Sequence, residues 1–246
     1  LDQARRLLSR GVYLESAFAE NGQPTAARAK LIAAIQKANI EVMGYARREG
    51  GGLPGVTTPY DVDPGLVPVQ IVSRRKLGYG HNALLYWNHA GNLDPRRLRA
   101  GEVLLLPDES LSVHVFLDRH LLGLFIGDWF VKEFRVGVGR VDKPTPTGDF
   151  EVGPKQENPD WWGPDGLVRA LDPKNELGSA WIPFSGPTLP VAAGFGIHGT
   201  NRPATVGTHC SNGCVRLVNE EASEMFWWVR TGSAGGQATP VHIRRR

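Results

Sequence analysis

From Leu111 onward the apolar residues recur in short runs with a period of two, which points the C-terminal half of this chain to β-structure. Val113, Val115 and Leu117 alternate, as do Leu122, Leu124 and Ile126. Phe130, Phe134, Val136 and Val138 keep the same even spacing. Asp118-Arg119 and Gly127-Asp128 stand between these runs as hairpin turns. Pro144-Thr145-Pro146-Thr147-Gly148 then turns into a further strand through Asp149 to Val152. Many short strands at close spacing predict a β-barrel or sandwich over residues 111–246. One helix is expected within it, over Asn219 to Val229, with Ala222, Met225, Phe226 and Val229 on one side.

The first hundred residues read differently. Residues 1–48 predict a helical hairpin. Asp2 caps a first helix carrying Leu7, Leu8, Val12, Leu14 and Phe18, and Asn21-Gly22-Gln23-Pro24 breaks it. Thr25 then caps a second, whose stripe is Ala27, Leu31, Ala34, Ile35, Ala38 and Val42. Residues 49–59, rich in Gly, Pro and Thr, form a linker. Residues 60–107 predict a β-α-α-β unit. A strand at Tyr60 and Val62 leads to a Pro64-Gly65 turn, and a helix opens at Pro68 and runs through Ile71 and Val72. A second helix follows over Ala83 to Asn88, and a closing strand runs from Glu102 to Leu106.

Composition narrows the function classes. Apolar residues at 41% and charged residues at 22% supply a core and argue against global disorder. A net charge of +3 without alternating basic and aromatic residues makes nucleic acid a poor partner, and Arg96, Arg97 and Arg99 read as a solvated basic face. A mildly basic protein suits an anionic polymer such as a cell wall. No run approaches the roughly 18 consecutive apolar residues of a membrane span. The chain begins at Leu1 rather than Met, and Leu1 to Arg10 lack the charged start and apolar run of a signal peptide. A removed upstream export signal or anchor therefore stays open.

The only two cysteines, Cys210 and Cys214, stand four residues apart. So short a loop is a demanding place for a disulfide and closes little chain. His209 beside them gives a crowded set rather than the spaced ligands of a metal site, so no metal or other cofactor is expected. A reactive thiol fits better. A thiolate is the nucleophile, and an adjacent imidazole can take the thiol proton and hold a thiolate–imidazolium pair. His198 lies 16 residues before Cys214, far enough for two neighbouring strands to bring the side chains together. Gly213 allows a sharp turn and close substrate approach, and the N–H groups of Gly213 and Cys214 are candidate oxyanion donors. These residues alone leave a structural histidine and a buried, inert cysteine as alternatives.

The run Gly196-Ile197-His198-Gly199-Thr200, followed by Ser211-Asn212-Gly213-Cys214-Val215-Arg216, resembles the signature of the YkuD-type L,D-transpeptidases. That signature is a His, about fifteen residues, Ser/Thr-His-Gly-Cys, an apolar residue, and Asn or Arg. Gly137-x-Gly139 and Thr145 to Phe150 resemble the same family's entry strand. This chain departs from the motif at Asn212, where the family has His, and His209 is a candidate to take over part of that role. Residues 60–107, with Tyr-x-Val-x-Pro-Gly, Leu-x-x-Trp-Asn and Leu-Arg-Ala-Gly-x-x-Leu-x-Leu-Pro, resemble a LysM domain, a family that binds N-acetylglucosamine glycans. The usual Gly-Asp-Thr is Gly65-Leu66-Val67 here, and a spacer that keeps only the LysM shape is the alternative.

The resemblance implies a mainly β catalytic domain, a place in the cell envelope, and peptidoglycan stem peptides and glycan as partners. It implies Cys214 as nucleophile, His198 as general base, and the Gly199 carbonyl as orienter of the imidazole. Ser211, Asn212 and Gly213 would form the turn and oxyanion region, and Arg216 would hold a stem carboxylate, with a structural salt bridge as its alternative. The implied reaction is 3→3 cross-linking through a cysteine acyl-enzyme. An L,D-carboxypeptidase using the same thioester, an idle cell-wall binding protein, and a cysteine protease are the competing readings.

Overall fold

The computed structural model describes residues 26–48, 57–89, 91–187, 189–232 and 237–245. The first helix expected in the N-terminal hairpin, and its Thr25 cap, lie outside the described residues. Helix α1 (Ala26–Arg48) is the second. Its buried face is Arg28, Ile32 and Ile35, whereas Ala27 and Ala34, both expected on the apolar stripe, are exposed. The steps of four and three from Arg28 present two isoleucines to the interior, and these bury more surface than the alanines would.

The next elements follow in the order β1 (Thr57–Asp61), α2 (Pro68–Arg74), α3 (His81–Asn88) and β2 (Val103–Pro107). Thr57, Thr58 and Pro59, expected in the linker, instead belong to β1. That strand pairs antiparallel with β2 from Thr57↔Pro107 to Asp61↔Val103, and the ladder holds these residues extended. The rest of the expected linker lies outside the described residues. Pro68 sits in the first turn of α2, where a missing N–H costs nothing. Asn88, at the end of α3, is buried and fully used. Its Nδ2 donates to the carbonyls of Leu84 (2.9 Å) and Leu105 (3.0 Å), and its Oδ1 accepts from Leu105 N–H (2.7 Å). One side chain thus fixes α3 to β2.

Beyond this the chain is mainly β. The strands are β3 (Leu111–Phe116), β4 (Leu121–Ile126), β5 (Trp129–Arg135), β6 (Val138–Gly139), β7 (Gly148–Val152), β8 (Gln156–Glu157), β9 (Trp161–Gly163), β10 (Gly166–Val168), β11 (Ala180–Ser185), β12 (Gly196–His198), β13 (His209–Ser211), β14 (Val215–Arg216) and β15 (Pro240–Arg244). One long sheet runs in the order β14-β12-β11-β7-β15-β3-β4-β5, with β8 also on β11. The pairs β6/β13 and β9/β10 form separate two-stranded sheets. Two pairings of the long sheet are parallel, β15 with β3 and β12 with β14. All six residues of β4 are buried, so this strand is interior on both faces rather than alternating. Leu117, expected at a strand end, instead begins a short 3-10 turn with Asp118 and Arg119 that closes on His120 at φ 51°.

Helix α4 (Asn219–Trp228) carries Glu220 and Glu221 in its first turn, where the helix dipole favours carboxylates. It buries Ala222, Met225, Phe226 and Trp228. The described residues fall into two compact units. One holds those up to Ser112 together with Leu124–Lys132; the other holds Val113–Gly123 and Glu133 onward.

Candidate active site

The site is built on β12 and its two neighbours. Ile197 at the centre of β12 is fully buried, and its partners Ile182 on β11 and Val215 on β14 are buried with it. Alternation along the strand therefore turns Gly196 and His198 to the opposite face. His198 is paired laterally with Trp181 of β11 and with Arg216 of β14. The Trp181 and His198 rings lie 5.9 Å apart. Cys214 immediately precedes Val215, just outside β14, and its thiol feels the Gly196 backbone and the charge of Arg216.

The imidazole has a defined protonation. His198 Nδ1 donates to the Gly199 carbonyl at 2.6 Å, and a carbonyl can only accept, so Nδ1 carries the proton and Nε2 is left with its lone pair. Burial, then the charge of Arg216, pushes the His198 pKa down to about 4, while the Gly199 and Glu176 carbonyls oppose that shift. Burial also raises the pKa of the Cys214 thiol, against the Gly196 backbone and the Arg216 charge, which lower it. Both shifts favour the neutral forms. Desolvation thus works against both charges of the thiolate–imidazolium pair expected from the sequence, while the Arg216 charge favours the thiolate and disfavours the imidazolium.

The loop carrying the thiol is held by one hydroxyl. Ser211 Oγ donates to the Cys214 carbonyl (2.6 Å) and accepts from Gly213 N–H (3.1 Å). Gly213 sits at φ +117°, and a Cβ there would run into the Phe195 ring. Gly213 N–H, one of the two expected oxyanion donors, is thus committed within the turn. Asn212 is exposed. The segment Gly137 to Arg140 supports the loop from beneath. Strand β13 pairs with β6, Arg140 N–H bonds Ser211 O (3.0 Å), and Gly139 N–H bonds Thr145 Oγ1 (2.8 Å).

Both cysteines are free thiols. Cys214 Sγ lies 3.5 Å from the Gly194 carbonyl, and Cys210 packs against Gly137. His209 Nδ1 bonds Gly139 O at 2.9 Å, and its ring meets His120 edge-on at 4.7 Å. Among the described residues no cluster of three or more His, Cys, Asp or Glu side chains could hold a metal ion. No described helix is long and apolar enough to cross a membrane.

Arg216, expected to meet a substrate carboxylate, meets an internal one. Its Nη2 lies 3.3 Å from Glu176 Oε2, and Arg202 Nη2 lies 2.8 Å from Glu176 Oε1. Arg216 Nε is buried without a hydrogen-bond partner among the described residues. Glu176 was not singled out by sequence, and neither was Asn219. The Asn219 side chain reaches from the start of α4 to Ser179 N–H (3.3 Å) and Thr200 N–H (3.0 Å). An Asn opening a helix is a visible signal, but it points to capping its own helix rather than to a distant strand.

Residues 111–243, more than half of the chain, match the model of the YkuD family, described as the L,D-transpeptidase catalytic domain. Two Bacillus subtilis proteins that carry the L,D-transpeptidase name are similar. YqjB is 37% identical over 100 residues, which are 41% of this chain and 55% of YqjB. YkuD is 29% identical over 142 residues, 55% of this chain and 74% of YkuD. The match thus spans only about half of YqjB. The solved catalytic domain of the E. faecium L,D-transpeptidase is 23% identical, with a TM-score of 0.42, over 55% of this chain and 98% of that one. By the family match over residues 111–243, this chain belongs to the YkuD family of L,D-transpeptidase catalytic domains.

Proposed function

We propose that this protein is a peptidoglycan L,D-transpeptidase that works through a Cys214 acyl-enzyme. The observation that supports the reading is the parallel pairing of β12 with β14, which sets His198 beside Arg216, two residues after Cys214, with Nδ1 of the imidazole tied to Gly199. With Nε2 unprotonated, His198 takes the thiol proton as Cys214 Sγ attacks the carbonyl of the third stem residue. Cys214 N–H is the oxyanion donor left from the expected pair. The C–N bond to the terminal D-Ala then breaks, and the proton on Nε2 passes to the departing amine, leaving a thioester. An amine from a second stem attacks the thioester, gives its proton to His198, and releases the thiolate, which is reprotonated. The product is a 3→3 cross-link. If water is the acceptor, the same thioester yields a trimmed stem and the enzyme is an L,D-carboxypeptidase.

In this scheme Arg216 acts first as an internal electrostatic element through its contact with Glu176. Ser211 and Gly213 shape the turn, and exposed Asn212 stands where substrate contacts would be made. Residues 111–246 form the catalytic domain. The unit over residues 60–107, with its β-α-α-β order and antiparallel strand pair, supports the reading of a LysM-like module that contacts glycan. Such an enzyme acts in the cell envelope.

Intact mass after incubation with a carbapenem, a strained acyl donor, tests the reading. The protein should gain one adduct, lost in Cys214→Ala and retained in Cys210→Ala under reducing conditions. An adduct that persists in Cys214→Ala would remove Cys214 as nucleophile. No adduct on the unaltered protein, together with retention on insoluble peptidoglycan, would leave a wall-binding protein with an idle domain. Incubation with purified muropeptides then separates cross-linked from trimmed products.

A further inference from the structure

One peptide group joins the imidazole to the start of α4. The C=O of Gly199 accepts from His198 Nδ1 (2.6 Å), and the N–H of the same peptide, that of Thr200, donates to Asn219 Oδ1 (3.0 Å). The same oxygen accepts from Ser179 N–H (3.3 Å), and the Asn219 carbonyl accepts from Ser179 Oγ (2.6 Å). The Asn219 side chain fills the space that a Cβ would occupy at both Gly178 and Gly199. Two glycines therefore leave room for this one amide.

The placement is not what a helix start requires. Asn is among the best N-cap residues because its oxygen accepts from its own helix. Here the cap position is Val218, which makes no side-chain cap, and the Asn219 oxygen is directed to β11 and to the exit of β12. The main chain at His198 is already fixed, since Leu217 N–H bonds His198 O (2.8 Å) and Gly199 N–H bonds Ala180 O (3.2 Å). What those bonds leave free is the plane of the Gly199–Thr200 peptide, which glycine does not restrict sterically.

We propose that Asn219 is a positioning residue for His198, holding the Gly199–Thr200 peptide so that its carbonyl, and not its N–H, faces Nδ1. The proton then stays on Nδ1, and Nε2 is kept as the proton acceptor. Without Asn219, Thr200 N–H is buried and unpaired, and rotation of the peptide brings an N–H towards the imidazole. That orientation stabilises the tautomer with the proton on Nε2, which cannot accept one from the thiol. Hydrogen bonding at the N–H end of a peptide also polarises its carbonyl, so the contact strengthens the Nδ1 bond as well as aiming it. The catalytic consequence rests on the transpeptidase reading; the tautomer relationship does not.

The experiment is long-range 1H–15N correlation of the histidine side chains at neutral pH, on the unaltered protein, Asn219→Ala and Asn219→Asp, with carbapenem acylation rates on the same samples. The unaltered protein should show His198 protonated on Nδ1. Asn219→Ala should populate the other tautomer and acylate about tenfold more slowly or worse. Asn219→Asp keeps an acceptor oxygen for both N–H groups. It should restore the tautomer, bring the rate within about threefold, and move the acid limb of the rate profile upward, since a carboxylate nearby favours the imidazolium. A bare Nδ1 in the unaltered protein overturns the inference with no variant needed, even if Asn219→Ala does not fold. So does an Asn219→Ala protein with unchanged tautomer and rate, or an Asn219→Asp protein that restores neither. A tautomer that follows residue 219 in a protein that no carbapenem acylates would sink the enzyme reading and leave the positioning intact.

Discussion

His198 and Arg216 are lateral partners across the parallel β12–β14 pair, so a buried imidazole stands beside a buried guanidinium. The guanidinium is partly neutralised by Glu176, at 3.3 Å, yet it still opposes protonation of the ring. Such a neighbour keeps the base unprotonated over a wide acid range.

Arg216→Gln should therefore raise the His198 pKa. Burial is the larger cause of the depression and remains in the variant, so the new value should lie above 4 and below the ordinary 6.5. The rate of carbapenem acylation against pH reads it directly, as an acid limb displaced upward. An acid limb in the same place would mean that Arg216 does not act on the imidazole.

The same shift makes a stability claim. Between pH 6.5 and about 4 the unfolded chain protonates His198 while the folded protein does not, so the unfolded state binds more protons. Stability contributed by the neutral ring is present above pH 6.5 and lost as pH falls towards 4. One pKa unit corresponds to about 1.4 kcal/mol, so the loss attributable to this group is about 3 kcal/mol. Denaturant titrations across that window should show the slope, and His198→Gln should flatten most of it. His120, also depressed chiefly by burial, contributes in the same direction and leaves a residual slope. A slope unchanged in His198→Gln would place the acid sensitivity elsewhere.

Much of the scaffold was legible because it is local. Period-two runs mark β3 and much of β5, the Pro68 start marks α2, and Asn219 to Val229 marks α4 almost to the residue. The stretch from His198 to Cys214 carries the chain from β12 to the edge of β14, and adjoining strands need an intervening stretch of about that length. What stayed hidden is set by contacts between distant segments. The face that α1 buries is chosen by its partners, not by its own stripe. Glu176 meets Arg202 and Arg216 from 26 and 40 positions away, and no local pattern marks an acid that will be shared by two arginines. The directions of the His198 and Cys214 shifts were hidden for the same reason, because desolvation depends on everything packed around the ring and the thiol.

Gly213 offers a sharp test of the thiol loop. Its φ of +117° lies where residues with a Cβ are strained, and the Phe195 ring occupies the space a methyl group would need. Gly213→Ala should force the turn to rearrange, breaking the Ser211 Oγ bonds to Gly213 N–H and the Cys214 carbonyl. Acylation should fall by about two orders of magnitude, in keeping with a small displacement of a reacting group. The cost in global stability should be only about 1–3 kcal/mol. Acylation at the unaltered rate would show that the turn geometry is not needed to present the thiol.

Lys155 allows the two ends of α4 to be separated. Its ammonium donates to the carbonyls of Phe226 and Val229, the latter at 2.8 Å, and lies 4.0 Å from the centre of the Phe226 ring. A cation at a helix C-terminus satisfies carbonyls that have no partner within the helix, opposes the dipole, and gains from the ring face. Burial depresses its pKa to about 8, so most of the charge is present at neutral pH. Lys155→Met keeps the apolar stem and removes the donor, and it should destabilise the protein by about 1–3 kcal/mol by leaving two carbonyls unsatisfied. The lesion lies at the end of a ten-residue helix, about 15 Å from Asn219. Fraying of the last turn should not reach the first, so acylation measured well below the melting transition should stay within about threefold. Thermal melting and acylation rate on one preparation check both halves. A collapse of acylation without loss of stability would mean that α4 moves as a rigid lever on the Gly199–Thr200 peptide rather than anchoring it at one end.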